Sequence, residues 1–428
     1  MVFTSLAHFI DIDFLRAAYA RTRKDGATGI DGQTADAYGA NLEENLQSLL
    51  DRFKSGAYHA PPVRRVYIPK GDGRKQRPIG IPTFEDKVLQ RAVAMILEAV
   101  YEQDFLECSF GFRPGRSAHQ ALAKLREGLT SMRGGWVLDM DIRAFFDTLD
   151  HGHLRGFLDQ RVRDGVLRRA IDKWLAAGVL EAGNVNRPEG GTPQGGVISP
   201  LLANIYLHAV LDEWFHNQVL PCMRAPAFLI RYADDAVLVF TLEKDAQRVM
   251  EVLPKRLGRF GLSLHPEKTR LVRFLRPPIL RPANRREGSK TADPNRQGTF
   301  VFLGFTHHWG RTLRGGWAVR QKTAASRFGR TMKAVNKWLR DHRHWPIEAQ
   351  HQMLVRKLQG HFAYFGISSN GARIRALREL VLQLWRKWLN RRSQRKCMPW
   401  YRYLRLLERY PLPRARIVHT YVRPAANP

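Results

Sequence analysis

Cysteine is scarce in this chain. Its 428 residues hold three, Cys108, Cys222 and Cys397, too far apart for a disulfide framework or a four-thiolate zinc site. Long apolar runs are also missing. The longest uncharged stretch, Gly190–Leu211, is interrupted by Pro193, Gln194, Pro200 and Asn204, which excludes a bilayer span. The opening MVFTSLAHFIDID turns acidic before a signal-peptide core could develop. Secreted, disulfide-rich and membrane-embedded classes are excluded on these grounds, and a cytoplasmic setting is expected. Acidic residues are the last deficit: 39 Asp and Glu face 70 Lys and Arg, a net charge of +31. With 44% hydrophobic residues this is a folded chain, long enough for two or three domains and built to meet a polyanion.

The imbalance is concentrated. Residues 1–300 carry 43 basic and 35 acidic side chains, whereas residues 301–428 carry 27 basic and only 4 acidic. One part should perform chemistry and the other grip phosphates. At 100° per residue, Phe328, Met332, Val335 and Leu339 fall on one face of a predicted helix. Arg330, Lys333, Lys337 and Arg340 fall on another, a basic face turned away from the packing face. A second predicted helix, about Ala372–Arg392, has Ile374, Leu377, Val381, Leu384 and Trp388 at three- and four-residue spacing, with arginines over the rest. Trp385, Trp388, Trp400, Tyr401 and Tyr403 either stack on unpaired bases or fill the core.

Further upstream, residues 1–60 read as two helices around the turn ATGIDG. Two strands follow, Val63–Pro69 and Arg77–Ile81, joined by a basic Gly-rich loop. Helices are predicted over Phe84–Tyr101, Ile198–His216 and Leu242–Phe260. Strands are predicted over Trp136–Ile142, Phe228–Ala233, Ala236–Thr241, Lys268–Leu275 and Thr299–Thr306. Arg276–Gly298 reads as a loop, and everything beyond residue 306 as helix.

Two places carry chemistry. Asp141 ends an apolar strand in VLDMDIRAFFDTLDH, sharing one side with Val137 and Asp139. Asp234 and Asp235 separate two apolar runs in FLIRYADDAVLVF, a hairpin signal that would push both carboxylates beyond the sheet. If the two elements pair, three acids converge. Clustered carboxylates repel one another unless cations hold them, and hard oxygen ligands suit Mg²⁺. Taken alone, Asp-Asp at a turn is ordinary turn chemistry; between apolar strands, and following a strand-borne Asp, it is far more specific.

The blocks TGIDG, RPIGIP, SFGFRPGRSAHQA, DIRAFFDTLDH, GGTPQGGVISPLLANIYL, YADD, GLSLHPEKT and FLGF span nearly the first 305 residues in one order. In that order they resemble a reverse transcriptase, and within that family the protein encoded by bacterial group II introns. LVRKLQGHFAYFGISSN resembles the thumb of these intron proteins, and the basic residues from 391 resemble the short C-terminal region of their compact class-C members. The resemblance implies an α+β right-hand polymerase: fingers with an N-terminal extension over 1–130, palm over 131–305, helical thumb over 306–390 and a basic DNA-binding segment over 391–428. It implies RNA-templated DNA synthesis from a DNA or RNA primer, with two Mg²⁺ ions (Mn²⁺ as substitute) held by Asp141, Asp234 and Asp235.

By the same resemblance Lys70, Arg77, Phe146, Gln194, Gly195 and Lys268 surround the incoming dNTP, Phe146 as the wall against a ribose 2′-OH. Arg74 and Lys75 are rivals of Lys70 and Arg77 for the triphosphate. Arg113 and Arg116 would contact template backbone, and Arg330, Lys333, Lys337 and Arg340 the heteroduplex. Structured group II intron RNA and a DNA target complete the implied partners, with a maturase role in splicing and retrohoming in a bacterial cytoplasm. The cysteine pairs of an endonuclease domain are missing after residue 391, so none is expected. Two alternatives stay open: a splicing-only RNA-binding maturase, and a defence or CRISPR-linked reverse transcriptase.

Overall fold

A computed structural model describes residues 1–70, 75–181, 184–186, 195–278, 298–312, 315–393 and 398–421. Gln194, Arg74, Cys397 and most of the Arg276–Gly298 loop lie outside the described residues; of Lys70 and Lys75 only the backbone is described. The chain forms two compact units. One comprises residues 1–121 and 136–271, the other 122–135 and 272–428. Helices mix with largely antiparallel sheets. Among the described residues no helix is long and apolar enough to cross a membrane.

The first unit is organised around the Phe84–Tyr101 helix. Thr83 caps it by accepting from the Asp86 N–H, and Glu85 favours its positive end. Val88, Leu89, Ala92, Val93, Ile96, Leu97 and Val100 are buried around it, so the helix is a central rod rather than a surface stripe. The Leu42–Ser55 helix buries Leu46, Leu49 and Phe53 at helical spacing, with Leu42 packed partly against the same core. Asp164 joins two distant pieces. Its carboxylate caps the Gly165–Ala176 helix and also accepts from the N–H groups of Leu6 and Ala7 at 2.6 and 2.8 Å.

One sheet of this unit has strand order β2-β1-β4-β5, where β1 is Val63–Lys70, β2 Lys75–Ile81, β4 Val179–Glu181 and β5 Asn184–Asn186. A second sheet has order β6-β7-β3-β8, with β3 Gly134–Asp141, β6 Ala227–Tyr232, β7 Asp235–Phe240 and β8 Arg270–Leu275. Strand alternation sends Leu138, Met140, Leu229, Ala236, Leu238 and Phe240 into the core on one face. Asp139, Asp141 and Asp235 point the other way, on a face that buries Val137, Val237 and Val239 and reaches solvent at its acid end.

The second unit contains a three-stranded sheet of β9 (Phe300–Phe302), β10 (Phe305–Arg311) and β11 (Trp317–Thr323), followed by helices over Ala325–Asp341, Ile347–Phe365, Gly371–Asn390 and Trp400–Arg409. Here the purely helical expectation beyond residue 306 is corrected. Phe302 and Phe305 pair across a two-residue turn in which Leu303 and Gly304 both have positive φ, and β10 continues as a strand to Arg311. Of the aromatics left open above, Trp385, Trp388 and Tyr403 are core. Trp385 donates to Gln350 and Trp388 to Asn336, each at 2.9 Å; Trp400 and Tyr401 are exposed.

Candidate active site at the carboxylate row

Strand register, more than sequence spacing, assembles the acids. Asp141 of β3 lies directly opposite Asp235 of β7, and Asp235 directly opposite Tyr232 of β6. Opposed residues share a face, so Asp141, Asp235 and Tyr232 form one row across three strands. The turn between β6 and β7 is Ala233-Asp234, one residue earlier than the sequence suggested: Asp235 is not a turn residue but opens β7. Ala233 takes a left-handed backbone with φ 56° to close it.

The acids need positive charge. Asp235 reaches solvent, yet its carboxyl is pushed up to about 6, first because surrounding protein strips its hydration and then by Asp234, Asp141 and Asp139, with Lys268 pulling the other way. The Lys268 ammonium lies 3.0 and 2.9 Å from the two Asp141 oxygens, and Arg270 lies 3.3 Å from Asp139. Backbone bonds hold the neighbourhood together: His265 N–H donates to Asp141 O at 2.8 Å and Arg143 N–H to Ser263 O at 2.8 Å. Among the described residues no three His, Cys, Asp or Glu side chains close tightly enough on one point to form a metal cage. The donor set still fits a hard divalent cation: it is all carboxylate, mutually repelling, and already drawing an ammonium onto one member.

Beneath the turn lies a feature the sequence reading missed. Arg231 and Asp212 are both 0% exposed and form an ion pair, with Nε to Oδ1 at 2.8 Å and Nη2 to Oδ2 at 2.5 Å. Arg231 also donates to Asn204 Oδ1 at 2.9 Å, to Ser109 Oγ at 2.7 Å and to the Ala233 carbonyl at 3.1 Å. The guanidinium thus ties the turn to the Ser199–Leu207 helix and to the 108–112 segment. The signal was present in the sequence: one Arg inside the apolar strand FLIRY and one Asp inside the apolar helix HAVLDEW.

The other expected site residues fall in several places. Arg77 is exposed on β2 opposite Ile68. Gly195 has φ 122° and packs so closely on β2 that a Cβ would meet the Gly80 carbonyl at 2.4 Å. Phe146 is half-buried, its ring 5.3 Å from Phe145. Arg116 is half-buried over the Phe110 ring at 5.7 Å. Arg113 requires a correction. Its side chain is 2% exposed, paired with Glu102 and bonded to the carbonyls of Phe105, Leu106 and Ser109. An arginine so enclosed anchors its own loop and does not reach a template. In the second unit Arg330, Lys333, Lys337 and Arg340 are exposed on the Ala325–Asp341 helix while Val335 and Leu339 are buried. Asp341 engages Lys337 at 2.6 Å and Arg340 at 3.1 Å.

The family model for reverse transcriptase (RNA-dependent DNA polymerase) matches residues 68–307, more than half the chain and the whole carboxylate row. The chain belongs to the reverse transcriptase family. Family chemistry depends on divalent metal ions, in keeping with the donor set above. Group II intron-encoded protein LtrA of Lactococcus lactis subsp. cremoris is 42% identical over 50% of this chain and 35% of its own length. Protein YkfC of Escherichia coli K12 is 36% identical over 57% of this chain and 71% of its own. An uncharacterized 91 kDa protein in a cob intron of Schizosaccharomyces pombe is 35% identical over 48% of this chain and 25% of its own. The chain therefore spans about a third of the length of LtrA.

Proposed function

We propose that this reverse transcriptase family member is the RNA-directed DNA polymerase of a group II intron. It extends a primer 3′-OH along an RNA template, and the hydroxyl attacks the α-phosphate of a dNTP with release of pyrophosphate. The reading rests above all on the register that sets Asp141 against Asp235 beside the YADD turn. Asp141, Asp234 and Asp235 would hold the divalent ions, Mg²⁺ with Mn²⁺ as substitute. Such ions activate the attacking hydroxyl and stabilise the leaving pyrophosphate. Lys268 orients the Asp141 carboxylate and offsets the charge of the row. Arg77, with Lys70, grips the triphosphate, and Phe146 is the wall against a ribose 2′-OH.

In this reading residues 1–130 are fingers, 131–305 palm, 306–390 thumb and 391–428 a basic DNA-binding segment. The exposed Arg330, Lys333, Lys337 and Arg340 hold nucleic-acid backbone without reading sequence. The intron-encoded relatives and the basic last third support a second role, binding the structured intron RNA during splicing.

Primer extension on an RNA template with Mg²⁺ and dNTPs, beside Asp234→Ala, is the test. The wild-type chain should make DNA and Asp234→Ala none, with RNA affinity intact. A wild-type protein that binds RNA but extends nothing would shift the assignment to a splicing-only maturase.

A further inference from the structure

Next to the carboxylate row the chain exposes a large aromatic side chain that the reaction described above leaves unused. Phe112 is 57% exposed and has a left-handed backbone, φ 57°, unfavourable for a residue with a Cβ. Apolar residues are exposed singly on every protein, so exposure alone means little. What distinguishes Phe112 is how firmly its surroundings are fixed while its ring is left outside.

The segment before it is laid along β6 like an extra edge strand. Arg231 N–H donates to Cys108 O at 2.7 Å, Phe110 N–H to Arg231 O at 2.9 Å, and Ser109 pairs with Arg231 in parallel. Gly111 lies so close to the turn that a Cβ would meet the Ala233 nitrogen at 2.3 Å, and Asn204 donates to the Gly111 carbonyl at 2.7 Å. After it, the enclosed Arg113 clamps the loop to Glu102. A chain pinned on both sides of one strained, outward-facing residue is arranged to present that residue. Its ring lies 6.4 Å from that of Tyr232, tilted by 40°. Since Tyr232 stands opposite Asp235 and Asp235 opposite Asp141, the two aromatics extend the line of acids toward the sheet edge.

We propose that Phe112, together with Tyr232, forms an aromatic platform on which a base or sugar of the bound nucleic acid packs beside the reacting carboxylates. The ligand class follows from position. A strand whose phosphate chemistry occurs at Asp141 and Asp234 must pass its neighbouring nucleotide over whatever flanks the row, and a ring face accepts any base. The inference rests on the polymerase reading.

The test uses the full chain. A primer carrying 5-iodouracil at its 3′-terminal base, and separately an RNA template carrying it at the first unpaired base, are irradiated on the wild-type protein and the linked peptide is sequenced. A link to Phe112 or Tyr232 is expected from one of the two, and identifies the strand. In parallel, Phe112→Ala should weaken primer–template binding about 5- to 150-fold, the range for loss of one base–aromatic stack. Phe112→Tyr should restore it to within about threefold while the melting temperature stays at the wild-type value. No link at either aromatic, or unchanged affinity in Phe112→Ala, overturns the platform; so does loss of affinity in Phe112→Ala that follows only from a lowered melting temperature. Absence of extension by the wild-type chain would instead count against the polymerase reading itself.

Discussion

Replacing Arg231 by Met tests what holds the turn. The substitution keeps a side chain of similar length but leaves Asp212 without its guanidinium in a site with no exposure, and it removes the donors to Asn204, Ser109 and the Ala233 carbonyl. Losing one partner of a buried ion pair costs about 3–5 kcal/mol. For a unit of this size each kcal/mol lowers the melting temperature by roughly 2–4 °C. Calorimetry should therefore place the transition of the first unit about 6–20 °C lower. The double variant Arg231→Met/Asp212→Leu removes the orphaned acid and should recover most of that loss, because apolar replacement of a buried pair is close to neutral. It should not recover primer extension, since the Ala233 carbonyl still lacks its donor and the turn carrying Asp234 is untethered. A single variant that melts within about 2 °C of wild type, or a double variant with full activity, would refute this account of the turn.

Gly111→Ala should reduce extension sharply while lowering the melting temperature only modestly: its methyl would meet the Ala233 nitrogen at 2.3 Å, and overpacking of this kind costs about 1–3 kcal/mol. Scanning calorimetry beside primer extension checks both halves. A pH effect is expected from Asp86, which accepts from the Tyr58 hydroxyl in the core and whose carboxyl is pushed up to about 7, chiefly by burial. The folded state keeps a proton that the unfolded state releases near 3.8, so this contribution to stability is complete below that pH and is lost as pH rises toward 7. The slope is as much as ~1.4 kcal/mol per pH unit, and Asp86→Asn should flatten it in urea titrations between pH 5 and 7, approximately the window in which the two states differ in proton binding.

What was legible in the sequence was what local composition and spacing decide. The Phe84–Tyr101 helix was readable from its long apolar-rich run behind a capping Thr83, and the strands around Asp141 and YADD from short apolar, β-rich runs. The turn was placed one residue late because Asp-Asp is commoner turn chemistry than Ala-Asp; it is the pairing of Tyr232 with Asp235 that decides. The β10–β11 hairpin was missed because its polar and charged positions, such as His307 and Arg320, broke the alternation that marks a half-buried strand, although His307 is buried. Arg113 was read as a nucleic-acid contact because sequence cannot say which way an arginine points. The Arg231–Asp212 pair escaped notice because each charge lies in a different apolar run, and only the fold brings the two together.

The division of the chain carries a consequence for its synthesis. Residues 122–135 belong to the second unit although they are made midway through the first. Arg126 bonds the carbonyl of Val319, 193 positions later, and Leu122 O accepts from Gln321 at 3.0 Å. At about 5–20 residues per second, a nascent segment waits roughly 10–40 s on the ribosome before its partners emerge. During that interval the chain exposes a half-made core, so premature stops between residue 136 and residue 319 should yield aggregating, protease-sensitive products rather than a shorter working enzyme.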